Sequence, residues 1–199
     1  MSFGCVDRPS NENPGARQQL LVSGVGGQGV LFVSRLLAEA AIERSLSVIT
    51  SEIHGMAQRG GTVVSHLKVG GFPGPLIREG QADGIIVLRE ENLAPHGRFL
   101  SPSGWAVVNS ASAAPGKSGF PVHAVDAEGI AREAGYPRGA NRVLIGFLLS
   151  RLGSTGDGGR IFCSLDDLRK ALGKRIERQP RALEESLEAL ALGIRHGKE

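Results

Sequence analysis

Six residues near the amino end, Gly24-Val25-Gly26-Gly27-Gln28-Gly29, have the spacing G-x-G-x-x-G of a phosphate-binding turn. Between a strand and a helix, such a turn leaves backbone N–H groups free, and the helix dipole favours an anion beside them. The chemistry implied is a bound phosphate-containing ligand, with a dinucleotide as the obvious case. The same glycines would also serve if they only allowed close helix–strand packing. Glu52, 23 residues past Gly29, is placed to take a ribose hydroxyl. A second segment, Ser51 to Gly61, sets His54, Gln58 and Arg59 among Gly55, Gly60 and Gly61. His54 can titrate near neutrality or hydrogen-bond a carbonyl, Arg59 can pair with a carboxylate or phosphate, and Gly60-Gly61 let backbone approach a ligand. The opposing reading is a turn whose His and Arg cap its own backbone. The candidate binding set is Gly24, Gly26, Gly27, Gln28, Gly29, His54, Gln58, Arg59, Gly60 and Gly61. No residue is assigned a catalytic role or a metal.

Other chemistry is incomplete. Gly156-Asp157-Gly158 looks like the start of a thiamine-diphosphate motif, but no Asn follows Asn141 to complete it, so 154–159 reads as a loop. The two cysteines, Cys5 and Cys163, lie 158 positions apart, with no C-x-x-C and no close His–Cys grouping. This chain therefore holds neither an iron–sulfur cluster nor a structural zinc by itself, and a redox metal would belong to a partner.

The elements that must position these residues follow from hydrophobic periodicity. Strands are predicted at Leu20 to Ser23, Leu46 to Thr50, Thr62 to Val69, Ile85 to Leu88, Ala106 to Val108 and Val122 to Val125. Helices are predicted at Val30 to Glu43, Ala127 to Ala134, Asn141 to Leu152, Leu165 to Leu172 and Pro180 to Ile194. Strands and helices interleave until only helices remain, which predicts an α/β fold: a Rossmann-like three-layer sandwich with a mostly parallel sheet and C-terminal helices. Leu183, Leu187, Leu190, Ala191 and Ile194 form an apolar stripe on the last helix, which must pack on its own sheet or face a partner. Residues 1–19 read as a flexible solvated tail and 20–199 as a single domain.

Composition narrows the function classes. Glycine is abundant, 29 in 199 residues, against a usual ~7%, which implies many tight turns or close backbone approaches. A formal charge of +3, with seven Phe, one Trp and one Tyr, offers no basic stretch interleaved with stacking platforms, so nucleic acid is not an expected partner. The apolar run Val143 to Leu149 is far short of the roughly 20 residues that span a bilayer. No membrane partner and a cytoplasmic location are expected, the amino end having no apolar secretory segment.

With these residues in place the chain resembles a known family, the gamma subunit or gamma domain of 2-oxoacid:ferredoxin oxidoreductases. The matching stretches are Gly24 to Val30 (GVGGQGV), Glu52 to Val64 (EIHGMAQRGGTVV), Pro75-Leu76-Ile77 ahead of Ala82-Asp83, and Asn141 to Gly146 (NRVLIG). The stretch HGMAQRGG resembles the small (beta) subunit of the indolepyruvate ferredoxin oxidoreductase branch. Two positions depart from the family pattern: Arg89 where an acidic residue is frequent, and Arg78 where a proline is common. The resemblance implies a reaction in which an aryl 2-oxoacid, coenzyme A and oxidised ferredoxin give an acyl-CoA, carbon dioxide and reduced ferredoxin. It implies a large alpha-type subunit that holds thiamine diphosphate, magnesium and the iron–sulfur clusters, with ferredoxin met through the complex, coenzyme A as co-substrate and this chain inactive alone. The Gly24 loop and His54 to Gly61 are then expected at the subunit interface, near the entry of coenzyme A or the 2-oxoacid. The competing classes are a free-standing NAD- or FAD-binding Rossmann protein and a non-catalytic scaffold subunit.

Overall fold

The run Gln18–Val25 forms β1, the middle strand of the sheet, because apolar side chains point to both of its faces: Leu20, Leu21 and Val22 are all fully buried. The structure is a computed structural model that describes residues 17–55, 61–112, 119–153 and 160–198. β1 starts two residues before the predicted Leu20 because the buried Gln18 amide is satisfied at both ends. Its Nε2 donates to the Arg160 carbonyl (2.6 Å), and its Oε1 accepts from the Phe162 N–H (3.1 Å).

After β1 come α1 (Val30–Glu43), β2 (Val48–His54), β3 (Thr62–Val69), β4 (Ala82–Val87), α2 (Leu93–His96), β5 (Leu100–Asn109) and β6 (Val122–Val125). Then α3 (Ala127–Glu133), α4 (Ala140–Leu152), α5 (Leu165–Arg175) and α6 (Pro180–His196) complete the chain. The sheet order is β2-β3-β1-β4-β5-β6. β1 pairs antiparallel with β3 and parallel with β4, and β2 pairs antiparallel with β3, so β3 alone runs against the other five strands. The architecture is the predicted α/β one, with a mostly parallel sheet and helices at the carboxyl end.

Its two faces are unequal. Leu20, Val22, Leu67, Ile86, Trp105 and Val107 point to the face that α1 and the C-terminal helices cover. Leu21, Val64, Ile85, Val87, Ala106 and Val108 point to the other, where the cover is thin: Ile77 from the β3–β4 loop, Leu93 from α2, and Phe99. The segment 90–99, two 3₁₀ turns flanking the four-residue α2, escapes sequence reading because Pro95 and Gly97 interrupt any periodicity.

Leu183, Leu187 and Leu190 of the α6 stripe pack within the chain, where α6 crosses α4 and not the sheet, while Ala191 and Ile194 stay half-exposed. Glycines set the crossing: a Cβ on Gly146 would stand 2.0 Å from the Leu190 carbonyl oxygen, and one on Gly193 would stand 1.9 Å from that of Val143. The helix backbones touch there, and Leu190 is buried beside the contact. α5 opens with a reciprocal cap, in which Ser164 Oγ accepts from the Asp167 N–H and Asp167 accepts from the Ser164 N–H.

Candidate functional site

All strands but β3 end at the same edge, and in open α/β sheets ligands bind outside those carboxyl ends. There the first Gly loop meets the β2–β3 hairpin: the Gly26 N–H donates to the Gly61 carbonyl at 3.0 Å. The hairpin closes beneath that contact through Gly55 N–H to Thr62 O at 2.8 Å. Two glycine-rich segments, 35 positions apart from Gly26 to Gly61, are thus held side by side by the sheet register.

The Gly loop is partly filled by the protein itself. Gln28 folds back so that its Oε1 accepts from the Val25 N–H (2.9 Å), and Asn141 Nδ2 donates to the Gln28 carbonyl at 2.8 Å. Gly29 has a left-handed φ of 84°, and a Cβ there would meet Asn141 Nδ2 at 2.4 Å. Close packing therefore accounts for Gly29. Gly27 is different: nothing lies within 4 Å of the position its Cβ would take. α1 begins at Val30 without a side-chain cap, which leaves first-turn N–H groups for water or a ligand. A hollow of about 280 Å³ lies here, among Gly27, Gln28, Gly29, Arg138 and Asn141.

A larger cleft of about 760 Å³ adjoins it, lined by Gln28, Arg89, Glu90, Asn109, Ser110 and Glu128 among others. Asn109 ties its walls together, donating to the Leu88 carbonyl (3.3 Å) and to Glu128 (3.2 Å) while accepting from the Ala127 N–H (2.9 Å). Ser110 Oγ donates to Glu90, and Arg89 pairs with Glu91 at 3.0 Å. The Glu91 backbone amide, aided by Arg89, holds the Glu91 carboxyl below the usual carboxylate range. Glu90, Glu91, Asp126 and Glu128 outnumber Arg89 and Arg132 in this cleft, whereas in the smaller hollow Arg138 faces Glu128 alone, so an anion is better held there.

Behind the Gly loop, Ser23 Oγ lies 2.9 Å from His96 Nδ1, which also bonds the Asn92 carbonyl at 2.9 Å. Ser23 is fully buried, so the pair is a structural tie and not a nucleophile with its base. His66 Nδ1 accepts from the Ile77 N–H at 3.1 Å. Burial lowers the pKa of both histidines. Cys163 is buried, and desolvation pushes its thiol up to about 12, which makes it inert at neutral pH.

Of the residues named from sequence, Gly24, Gly26, Gly27, Gln28, Gly29 and Gly61 come together at the carboxyl edge. His54 ends β2 opposite Val63, on the way into the same loop. Gln58, Arg59 and Gly60 lie outside the described residues, as do 154–159 and Cys5. Glu52 requires a correction. It sits inside β2 opposite Ser65, and β3 separates β2 from β1, so it stands two strands, about 10 Å, from the strand that feeds the Gly loop. A ribose carboxylate belongs on the adjacent strand. Sequence reading passed over Asn109, Ser110, Glu90 and Arg138, although the residues directly after each parallel strand were the signal for the first three.

The family described as pyruvate ferredoxin/flavodoxin oxidoreductase matches residues 19–196. The indolepyruvate oxidoreductase subunit IorB of Archaeoglobus fulgidus is 36% identical over 152 residues, 66% of this chain and 76% of the relative. Among solved structures, the gamma subunit of a keto/oxoacid ferredoxin oxidoreductase from Geobacter sulfurreducens superposes with a TM-score of 0.69 at 24% identity, covering 92% of this chain and 99% of that one. The 2-oxoglutarate:ferredoxin oxidoreductase of Magnetococcus marinus, a structure with 2-oxoglutarate, coenzyme A and succinyl-CoA bound, superposes with a TM-score of 0.73 at 18% identity, over 92% of this chain and 31% of that one. A match over residues 19–196, on a mostly parallel sheet whose carboxyl edge joins Gly26 to Gly61, shows that the protein belongs to the pyruvate ferredoxin/flavodoxin oxidoreductase family.

Proposed function

We propose that this chain is the small subunit of an indolepyruvate-type 2-oxoacid ferredoxin oxidoreductase, which converts an aryl 2-oxoacid and coenzyme A to an acyl-CoA with ferredoxin as electron acceptor. The observation that carries the reading is the Gly26–Gly61 contact, which ties the GVGGQG loop to Gly61 at the start of β3 on the carboxyl edge. Its IorB relatives and gamma-subunit neighbours support it. With two cysteines 158 positions apart, the chain lacks the four thiolates a cluster takes. Thiamine diphosphate, magnesium and the clusters accordingly belong to the large alpha-type subunit in this reading, where they supply decarboxylation and electron transfer.

This chain's own residues bind and orient. The uncapped first-turn amides of α1, with Arg138 across the hollow, suit an anionic group of coenzyme A or the 2-oxoacid carboxylate. Gln58, Arg59 and Gly60 follow β2 in sequence, and in this reading their side chains and backbone meet an anionic substrate group or the large subunit. A free-standing NAD or FAD protein is disfavoured, since Asn141 and Gln28 occupy the Gly loop and Glu52 is two strands away.

Co-purification with the large subunit, followed by viologen reduction with indolepyruvate, pyruvate and 2-oxoglutarate in turn, tests this reading. Activity is expected only with both subunits and is highest with the aryl substrate. A preference for pyruvate would overturn the aryl assignment, and tight binding of NADH or FAD by this chain alone would overturn the subunit reading.

A further inference from the structure

At the opposite edge of the sheet three cations gather without an anion among the described residues. Arg17 precedes β1, Lys68 is the next-to-last residue of β3, and β1 and β3 pair so that Gln19 faces Lys68. The Arg17 guanidinium lies 4.3 Å from the centroid of the Phe72 ring, and Lys68 Nζ lies 5.1 Å from it. The Ile77 N–H is fixed to His66, two residues before Lys68 on the same face of β3, and the charge of the following Arg78 acts on Lys68.

Lys68 is only 7% exposed, yet none of the three makes an ion pair with a carboxylate among the described residues. Glu79, the nearest acid in sequence, is held by Arg98 at 3.1 Å. Burial first, then Arg78 and Arg17, lower the Lys68 pKa, and no carboxylate opposes them. Like charges brought together by a fold, with one of them largely removed from water, are costly unless something negative joins them. The Phe72 ring face offsets part of that cost. Two guanidinium forks and an ammonium match the several oxygens of a dianion better than one carboxylate, which a single fork would satisfy.

We propose that Arg17 and Lys68 on the Phe72 ring, together with Arg78, form a binding site for a phosphate group. It lies the length of β1, about 25 Å, from the Gly loop, and it does not rest on the oxidoreductase reading.

Calorimetric titration of the full chain with inorganic phosphate at fixed ionic strength tests it, with acetate as the control anion. Phosphate should bind and acetate should not, and Arg17→Gln or Arg78→Gln, both exposed positions, should each weaken binding by roughly tenfold or more. Without phosphate, Arg78→Gln should raise the melting temperature, since it relieves repulsion. No heat with phosphate, equal heat with acetate, binding that both variants leave unchanged, or a lowered melting temperature in Arg78→Gln would each overturn the proposal. The last result would mark the cluster as structural packing on Phe72.

Discussion

Asn141 is the side chain through which the C-terminal helices reach the candidate site, by donating to the Gln28 carbonyl at 2.8 Å. Asn141→Ala should cost about 1 kcal/mol of stability, read as a lowered melting temperature, and should loosen any ligand held at the Gly loop. Arg59→Ala acts on the facing loop. If Arg59 meets an anion or a partner carboxylate, its loss should cost about 1.5–3 kcal/mol, or roughly 10- to 150-fold in the step that uses it. A changed kcat/KM with intact assembly would assign the contact to coenzyme A or the 2-oxoacid, and weakened assembly would assign it to the large subunit. Unchanged kinetics and assembly, with a lower melting temperature, would mean that the loop only caps its own backbone. The histidines give a pH dependence with a definite sign. Burial, helped by Lys68 and His96, lowers the His66 pKa, and burial also leads in lowering those of His96 and His123. The unfolded chain therefore takes up protons as pH falls through about 6.5, before the folded chain does. Stability is full above that value and is lost as pH falls through the lower folded values. Melting temperatures between pH 7.5 and 5.5 should fall on the acid side, and less steeply in His66→Gln. The glycines and the HGMAQRGG loop were legible as residues because their types and spacing are local. Asn141 was not legible as part of the site, because its partner Gln28 lies 113 positions away.

Elements were legible where one physical pattern held without interruption. The predicted spans of α1, β3 and β6 coincide with the observed ones, since each is an unbroken periodic run between turn residues. β2 begins two residues later than predicted and runs on through Ser51 and Glu52 because β3 bonds extend it, and β5 is longer because it pairs with β4 again at Leu100, beyond a register shift that spans Ser101 to Gly104. The α4–α6 crossing could not be read at all: two glycines 47 positions apart show no local sign that they face each other. Gly146→Ala and Gly193→Ala should each push the helices apart at backbone level, for a loss of about 3 kcal/mol or more. Denaturant midpoints check this. Ser164→Ala removes one half of the reciprocal cap on α5 and should cost about 1 kcal/mol. Similar losses in the glycine and cap variants would show that the crossing is looser than the geometry implies.

At the scale of the molecule, fold class was legible from the interleaving of strands and helices, and strand order was not. The reversed β3 between β1 and β2 follows from tertiary pairing, and it is what removes Glu52 from the Gly loop. The unequal faces of the sheet bear on assembly: the thinly covered side carries Ile53 and Leu76, 49% and 54% exposed. Co-expression with the large subunit should give a complex that elutes ahead of either chain alone, and persistent separation at micromolar concentration would count against a stable heteromer. The central place of β1 has a consequence for biosynthesis. It leaves the ribosome before every strand it pairs with, and its parallel partner β4 comes 64 residues later, as in Leu20 with Gly84. Antiparallel β3 arrives first, 47 residues after β1, as in Leu20 with Leu67; at 5–20 residues per second that is about 2 to 9 s, during which Leu20, Leu21 and Val22 have no strand to pair with. Nascent chains arrested before β3 emerges should therefore be cut readily at β1 by protease and should bind chaperones, whereas chains arrested past β6 should resist both.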